Sequence, residues 1–519
     1  MSLPELPRLD ASQFRWHPAP GSSRTLQRLA NGTEAWVGIK DENAKGQYDT
    51  YLNTSLRVQE SGALSLSTLR DALVLALVQV RFAHPDIACG AVWGQDASPS
   101  KPHLQYTPPE STEAALAWAR SRVAITAGDY DGLQLQLDLS RQRRSRAPRS
   151  APSFSITLLS NESDRERRLL AGAKVDMLIR FNHIFWDAMS SRDFTGQILR
   201  CAAKHLQKNA AQTLPSLEWG TEIARLATPL LDACAVDVDT LGADFEAARG
   251  EFVDALLRSG ASWGLPVTNS TGDARSEWFT FSKEQTKKMI QAVKTRLGQQ
   301  YTISHLGHAA MVLALLQSNP LGSSAPPGTA LITPLPVNGR RFLKREHQEH
   351  RFGSCQAGAV VEFKDLASWA PATDHPGSVQ EALGKLSRHV KDSYDYWLRN
   401  QFQLPLGISK DNFLSAFLSS SPMPFTGSSI PIFVTDGLVD NYVPGHVATP
   451  DGEQLLDVES CVFGVDTYMS DILIRMESWK GATVLSVCYN DGCLQAETAR
   501  EFLGRVAQFM LAFIQEEHP

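Results

Sequence analysis

Between residues 175 and 205 the spacing of apolar residues changes from that of a strand to that of a helix. His183 and Asp187 lie where the spacing changes. In the first part every second residue is apolar: Val175, Met177, Ile179 and Phe181. This period of two is typical of a half-buried strand. Beyond Ser190 and Ser191, which can cap a helix, apolar residues recur at helical spacing. The short link allows Asp187 to fold back and brace the backbone behind His183.

A histidine held at the end of a strand suits proton transfer. The unperturbed pKa of imidazole lies close to neutrality, so His183 can remove a proton from a bound alcohol at ordinary pH. We therefore expect His183 to be a general base and Asp187 to support the loop that carries it.

Length and composition indicate a large globular protein. The chain has 519 residues, too many for one ordinary core, so two large domains are expected. The net charge of −6 argues against a nucleic-acid-binding surface. No apolar run approaches the roughly 20 residues that a membrane span needs. The first residues lack the features of a secretory signal, and the 7 cysteines show no zinc or redox spacing. We expect a cytoplasmic protein with reduced thiols and no bound metal.

The apolar patterns predict mixed α/β structure in two parts. In the first part the predicted strands are residues 50–58, 87–93, 154–159 and 173–181, and the predicted helices are residues 65–83 and 111–121. Residues 1–50 show little periodicity and are interpreted as irregular. Residues 133–139 alternate like a strand, and the arginine-rich residues 141–149 that follow are interpreted as a solvated hairpin tip.

The second part follows a connection with its own helices. Its predicted strands are residues 277–281, 330–337, 430–434 and 483–489, and its predicted helices are residues 283–297, 304–316, 379–399 and 496–515. The resulting domains are 1–217 (the part with the histidine), 218–275 (the helical connection) and 276–519. A segment near 425–475 is expected to cross over to the first domain.

Four stretches together resemble a known superfamily. They are the strand, His-x-x-x-Asp and helix around His183; residues 332–341, which end in Asn338-Gly339-Arg340-Arg341; residues 433–440; and residues 479–490 before a final helix. They are similar to the acyl-CoA-dependent acyltransferases built like chloramphenicol acetyltransferase. That superfamily includes plant alcohol acyltransferases, condensation domains of peptide synthetases and fungal trichothecene acetyltransferases. Overall layout, residues 182–187 and residues 219–222 most resemble the fungal trichothecene 15-O-acetyltransferases.

The resemblance implies a fold and an activity. The fold would be two chloramphenicol-acetyltransferase-like domains, each a mixed β-sheet covered by helices, with an active-site channel between them. The activity would be acetyl transfer from acetyl-CoA to the C-15 hydroxyl of a trichothecene, without a covalent acyl-enzyme. Arg340 would form a buried ion pair with Asp187. Trp186, beside the base, would either line the acceptor pocket or pack in the interior. The protein would act as a monomer on small molecules.

Some positions depart from the patterns of the superfamily. Condensation domains carry a second histidine where this chain has Asn182 and a glycine where it has Ala188, and both changes weigh against peptide-bond synthesis. The nearest match to the Asp-Phe-Gly-Trp-Gly motif of the plant enzymes is residues 462–466, which lack the tryptophan. No role is carried over from that motif.

Other interpretations of single residues are less favoured. His183 and Asp187 could ligate a metal, but a third ligand is missing nearby. His305 and His308 stand in an apolar helix and are better explained as interior histidines. Ser190 and Ser191 lack the glycines of a nucleophile elbow. The arginines of residues 141–149 could meet coenzyme A phosphates, although a solvated position is favoured.

Two alternative functions remain open from the sequence. The chain could be an acyltransferase of the same fold that acts on another hydroxylated metabolite or an amine. It could also be a binding protein that keeps the fold without turnover.

Overall fold

The computed structural model describes residues 9–59, 64–93, 101–128, 131–145, 152–207, 214–323, 325–349, 352–373, 375–420 and 425–515. The α-helices are α1 (Thr33–Asn43), α2 (Leu66–Ala83), α3 (Thr112–Arg120), α4 (Gly132–Ser145), α5 (Ala188–His205), α6 (Leu230–Ala233), α7 (Ala243–Ser259), α8 (Lys283–Arg296), α9 (Ile303–Ser318), α10 (Pro376–Arg399), α11 (Gln403–Ser420) and α12 (Ala496–Ala512).

The strands are β1 (His17–Pro18), β2 (Leu26–Leu29), β3 (Thr50–Val58), β4 (Gly90–Val92), β5 (His103–Tyr106), β6 (Val123–Ala127), β7 (Phe154–Ser160), β8 (Lys174–Phe181), β9 (Leu265–Pro266), β10 (Ala274–Thr280), β11 (Leu331–Asn338), β12 (Gln356–Phe363), β13 (Ser428–Ser429), β14 (Pro431–Leu438), β15 (His446–Ala448), β16 (Gln454–Val465), β17 (Ile472–Trp479) and β18 (Ala482–Asn490).

The first large sheet has the order β15-β16-β3-β8-β7-β6. Its pairs are antiparallel except for β6 and β7, which are parallel. Helices α2, α3 and α5 share one hydrophobic core with this sheet. Strand β8 delivers the chain to His183, and α5 begins directly after Asp187. Strands β15 and β16 come from the last part of the chain, yet they pair within this sheet.

The second large sheet has the order β10-β18-β17-β14 and joins a second core with α9, α10 and α12. Only β14 and β17 are parallel. Strands β11 and β12 form a separate antiparallel pair that leads to Arg340. Helix α9 is buried from His305 to Leu315 because it has no charged residue and packs on several sides.

The predicted fold class is confirmed: mixed sheets are covered by helices around two cores. Several elements lie where the apolar spacing predicted them, among them β3, α2, β8, α8 and α12. The predicted domain boundaries at residues 217 and 276 stay predictions. Within the described ranges, no helix combines the length and the apolar character that a membrane crossing requires.

Two predictions about residues 133–149 are wrong. Residues 133–139 form helix α4 and not a strand, because Asp131 accepts a hydrogen bond from the Gln134 amide and Leu, Gln and Arg favour helix. The arginines up to residue 144 therefore lie on this helix, and Arg143 is buried beside Asp41. They do not form a hairpin tip. Arg146 and Arg149 lie outside the described residues.

The segment predicted to be irregular contains helix α1. The first turn of α1 is stabilised by residues that are distant in the sequence. Asn412 accepts a hydrogen bond from the Gly32 amide at 2.9 Å, and Asp411 accepts one from the Thr33 hydroxyl at 3.1 Å. Both partners lie on α11, which the sequence also left unassigned. Contacts over this separation leave no local periodicity to detect.

A close approach at Gly196 fixes α5 against the segment between β14 and β15. A Cβ atom at Gly196 would lie 2.0 Å from the backbone oxygen of Tyr442, which cannot move aside as a flexible side chain could. We expect Gly196→Ala to lower the free energy of unfolding by at least about 2 kcal/mol. Chemical denaturation measures this change. The control is Gly504→Ala in α12, where a Cβ meets no atom within 4 Å. It should stabilise the protein by about 0.5–1 kcal/mol, and equal effects of the two variants would contradict the prediction.

Candidate active site

His183 lies in a tight turn between β8 and α5, and its ring is half-buried. The turn is closed by Asn182, whose side-chain oxygen accepts from the Ile184 amide at 3.0 Å and whose carbonyl accepts from the Phe185 amide at 3.0 Å. The His183 Nδ1–H donates to the Trp186 carbonyl. Since Nδ1 carries the proton, Nε2 of the neutral ring has a free lone pair. Among the described residues, none forms a hydrogen bond with Nε2.

The surroundings of His183 favour the neutral ring. Burial is the largest effect and lowers the pKa of His183. The Trp186 carbonyl and Asp187 act in the opposite direction, and the positive charge of Arg475 adds to the lowering. The net pKa lies below the ordinary value, so at neutral pH His183 is a base that can accept a proton.

Asp187 uses both of its carboxylate oxygens. Oδ1 accepts from the Ser190 amide at 2.8 Å and thereby caps α5. Oδ2 accepts from the Cys355 amide and from Arg340 Nη1, both at 2.8 Å. The side chain is nearly buried, with 7% of its surface exposed. One carboxylate therefore joins the start of α5 to two segments of the second half of the chain.

The charge of Asp187 is stabilised in its buried position. Burial alone would raise the pKa of this carboxyl, but Arg340 and the amides of Ser190 and Cys355 outweigh it, and the net pKa is lowered. Arg340 is held in turn by the Gly353 carbonyl, which accepts from Nη2 at 3.0 Å. The structure thus places Asp187 and Arg340 in one buried ion pair behind the His183 turn.

A second contact joins the same two segments. The Ser354 amide donates to the Phe185 carbonyl at 3.0 Å, next to the Cys355 amide that reaches Asp187. The histidine turn therefore lies against residues 353–355 through successive backbone amides. Movement between the two halves would break these hydrogen bonds together.

Trp186 packs in the interior. It is 1% exposed and its ring contacts four phenylalanine rings: Phe154, Phe181, Phe194 and Phe352. These contacts are those of an interior packing residue, and a role of Trp186 toward the acceptor stays a prediction. The aromatic cluster fixes the backbone carbonyl that holds His183 Nδ1.

A buried group of four charges was missed by the sequence analysis. Arg192 of α5 donates to Asp436 of β14 at 3.0 Å and also to Glu477 of β17. Arg475 of β17 donates to Asp436 as well. The signal was present, since three charged residues interrupt otherwise apolar strands and a buried charge requires a partner. This charge cluster ties α5 to the second sheet, close enough for Arg475 to act on His183.

The other candidate residues have structural positions. Nδ1 of His305 accepts from the Thr302 amide at 3.0 Å, and Nδ1 of His308 lies 3.0 Å from the Tyr394 hydroxyl. Burial lowers the pKa of His305 to about 4 and that of His308 to about 3. In the part of the chain that the structure describes, no three His, Cys, Asp or Glu side chains are arranged to hold a metal ion. The Ser190 and Ser191 hydroxyls both donate to the Asp187 carbonyl.

The chain is similar to known proteins over nearly its whole length. Residues 6–415 match the family described as 15-O-acetyltransferase Tri3. The trichothecene O-acetyltransferase TRI3 of Trichoderma arundinaceum is 38% identical over 525 residues, which cover 99% of each protein. The solved structure of TRI3 trichothecene 15-O-acetyltransferase from Fusarium sporotrichioides is 32% identical. It superposes with a TM-score of 0.93 over 99% of this chain and 100% of that one.

A more distant match concerns the fold alone. The first condensation domain of the calcium-dependent antibiotic synthetase superposes with a TM-score of 0.61, at 12% identity, over 94% of this chain and 96% of that one. The expected fold is therefore confirmed.

The ion pair behind the histidine turn should be needed for stability. Arg340→Met leaves the Asp187 carboxylate buried without its cation, so the free energy of unfolding should fall by about 3–5 kcal/mol. The control is Arg258→Met, which removes an exposed arginine that makes two hydrogen bonds with Glu362. That variant should lose less than about 1 kcal/mol. Chemical denaturation measures both changes. If the two variants lost similar amounts of unfolding free energy, the buried pair would not have the predicted importance for stability.

Asp466 should make stability depend on pH. It is 1% exposed, and burial raises its pKa to about 8 although the Ser140 hydroxyl donates to it at 2.6 Å. Unfolded, it titrates near 3.8. Between about pH 4 and 8 the folded state therefore binds more protons, and stability falls as pH rises. We expect Asp466→Asn to gain stability over the wild type across this window, as measured by denaturation at several pH values. Asp138→Asn on α4 is the control. If the difference in the free energy of unfolding between Asp466→Asn and the wild type did not change with pH, the raised pKa of Asp466 would be contradicted.

Proposed function

The chain belongs to the Tri3 family of 15-O-acetyltransferases, and from this we propose that it moves an acetyl group from acetyl-CoA to the C-15 hydroxyl of a trichothecene, with His183 as general base. Two relatives named as trichothecene acetyltransferases match over almost their whole length and support this acceptor. The observation that carries the proposed role of His183 is its geometry: Nδ1 is engaged by a backbone carbonyl while Nε2 is free among the described residues.

The proposed reaction is a direct transfer. Nε2 of His183 accepts the proton of the acceptor hydroxyl while the oxygen attacks the thioester carbonyl. The tetrahedral intermediate then breaks its carbon–sulfur bond, and the imidazolium returns the proton to the leaving thiolate. The products are the acetyl ester and coenzyme A. General acid–base assistance of this kind contributes about 10²–10⁴-fold to the rate.

Asp187 would take no part in proton transfer. Its carboxylate oxygens are engaged by Arg340 and by the amides of Ser190 and Cys355, and its lowered pKa keeps it charged. Its proposed role is to hold the backbone turn that aims the imidazole. Alignment is valuable because holding two reactants in position can lower the barrier by about 7–11 kcal/mol in well-oriented cases.

The substrates would meet at His183, between the two halves of the chain. The turn lies at the end of β8 in the first sheet and contacts residues 353–355, and the charge of Arg475 in the second sheet acts on His183. We propose that acetyl-CoA reaches Nε2 from one face of this boundary and the acceptor from the other. A terpenoid acceptor requires a largely apolar pocket with a few polar groups.

The remaining proposals concern the oligomeric state, the cellular compartment and the cofactors of the protein. We propose a monomer in the cytoplasm that needs acetyl-CoA as co-substrate and no permanently bound cofactor. The 7 cysteines, six of them buried, form no disulfide in the part of the chain that the structure describes, and this supports a reducing compartment. Size-exclusion chromatography with light scattering would test the oligomeric state.

The decisive experiment removes the proposed base. His183→Ala should lower kcat for a 15-hydroxy trichothecene with acetyl-CoA by at least about 10²-fold. Thiol release measures turnover, and mass spectrometry identifies the acetylated product. The control is His446→Ala, which removes an exposed histidine beside Asp457 and should leave the rate unchanged.

The same experiment separates the alternatives. Turnover of other alcohols or amines, with none of the trichothecene, would indicate a different acyltransferase of this fold. Binding of acetyl-CoA without any product would indicate a binding protein. Retained activity in a folded His183→Ala variant would exclude the general-base mechanism.

A further inference from the structure

Tyr48 has an unusual backbone conformation next to the candidate base. Its φ angle is +68°, in the left-handed region that large side chains rarely adopt. Among the described residues other than glycine, only Asp365 and Lys480 share a positive φ. Such a conformation costs about 1–3 kcal/mol and persists only where the surroundings enforce it.

Hydrogen bonds on both sides of Tyr48 enforce this conformation. The Tyr48 amide donates to the Asp466 carbonyl at 2.8 Å, and the Asp466 amide donates back to the Asp49 carbonyl at 2.8 Å. The side-chain oxygen of Gln47 accepts from the amides of Tyr468 at 2.5 Å and Met469 at 3.1 Å. The chain at residues 47–49 is thereby fixed to the segment between β16 and β17.

The side chain of Tyr48 is fixed at its far end as well. Its hydroxyl donates to Asp471 Oδ2 at 2.8 Å, and Gln47 Nε2 donates to the same oxygen at 3.0 Å. The ammonium of Lys40 lies 5.6 Å from the centre of the Tyr48 ring and 3.9 Å from Asp471. With backbone and hydroxyl both held, the ring has a single position.

That position places the ring edge-on to His183. The two ring centres are 6.5 Å apart and the planes meet at 77°. Tyr48 as a whole residue is half-buried. Because its hydroxyl is engaged by Asp471, the ring offers an apolar surface on the His183 side.

We propose that Tyr48 is a positioning residue of the active site: the enforced left-handed backbone and the hydroxyl–Asp471 hydrogen bond hold its ring against His183, where it restricts the imidazole and supports the apolar body of the acceptor. This inference rests on the proposed function, since it presupposes that His183 is the base. It explains why a strained residue stands at this point of the chain.

The electrostatics around the pair agree with this role. Burial, followed by the charge of Asp471, raises the pKa of Tyr48 well above its ordinary value, so the phenol stays neutral. The charged groups that act on His183 are Asp187 and Arg475. Tyr48 would therefore influence the base by excluding water and not by charge. Removal of the ring should move the pKa of His183 upward toward its ordinary value.

The test removes the ring while keeping the backbone. Glycine adopts a positive φ without strain, so Tyr48→Gly should fold. We expect kcat with the trichothecene to fall by about 10-fold or more and KM for the acceptor to rise. The acid limb of the kcat/KM profile should move to higher pH. KM for acetyl-CoA should stay within about twofold of the wild-type value.

Three further variants make the test specific. Tyr48→Phe keeps the ring and should recover activity to within about threefold of wild type. Asp365→Gly relaxes an exposed residue with φ of +47° and should change none of these constants. Tyr396→Phe removes a different tyrosine–carboxylate hydrogen bond, with Glu251, and should also have no effect.

The outcomes distinguish this inference from the proposed function. Unchanged acceptor KM and pH profile in Tyr48→Gly, together with an inactive His183→Ala, would overturn the role of Tyr48 alone. Activity in His183→Ala would overturn the mechanism itself. A loss of rate in Tyr48→Gly without a shift in the pH profile would indicate a merely structural tyrosine and would also overturn the inference.

Discussion

A single carboxylate holds together the parts from which the candidate site is built. Asp187 caps α5 with one oxygen and binds Arg340 and the Cys355 amide with the other. A buried carboxylate is unfavourable unless it is fully paired, so the three partners are required together. The direction of α5, the shape of the histidine turn and the position of residues 353–355 all depend on this side chain. The imidazole orientation then follows from the turn, because the Trp186 carbonyl engages Nδ1.

Buried charged side chains also stabilise the site. Arg192, Arg475, Asp436 and Glu477 meet where α5 lies against the second sheet, and two of these residues interrupt one apolar strand. Apolar packing alone is not directional and would define the position of α5 on the second sheet less strictly. Paired charges allow fewer relative positions, which suits a reaction that needs two substrates aligned at one nitrogen. A third set of contacts joins residues 47–49 to the segment between β16 and β17.

The sequence predicted those parts of the structure that depend on local spacing or on a known motif. Strand β3, helix α2 and the β8–turn–α5 unit follow from apolar periodicity, and the partner role of Arg340 followed from resemblance. Helices α1 and α11 were missed because each stabilises the other across about 380 residues of sequence. Helix α4 was predicted as a strand because its leucines alternate along the sequence. The same residues fit a helix in which only one leucine, Leu135, is buried. Tyr48 had no signal at all, since a left-handed backbone at a tyrosine is imposed by tertiary contacts.

The position of β16 has a consequence for biosynthesis. Strand β3 is flanked by β8, which ends at Phe181, and by β16, which ends at Val465. While the polypeptide leaves the ribosome, one edge of β3 stays open until almost the entire protein has been translated. Open strand edges pair readily with foreign chains. Nascent molecules are therefore exposed to aggregation for most of their synthesis, and a prematurely terminated product would retain that open edge permanently.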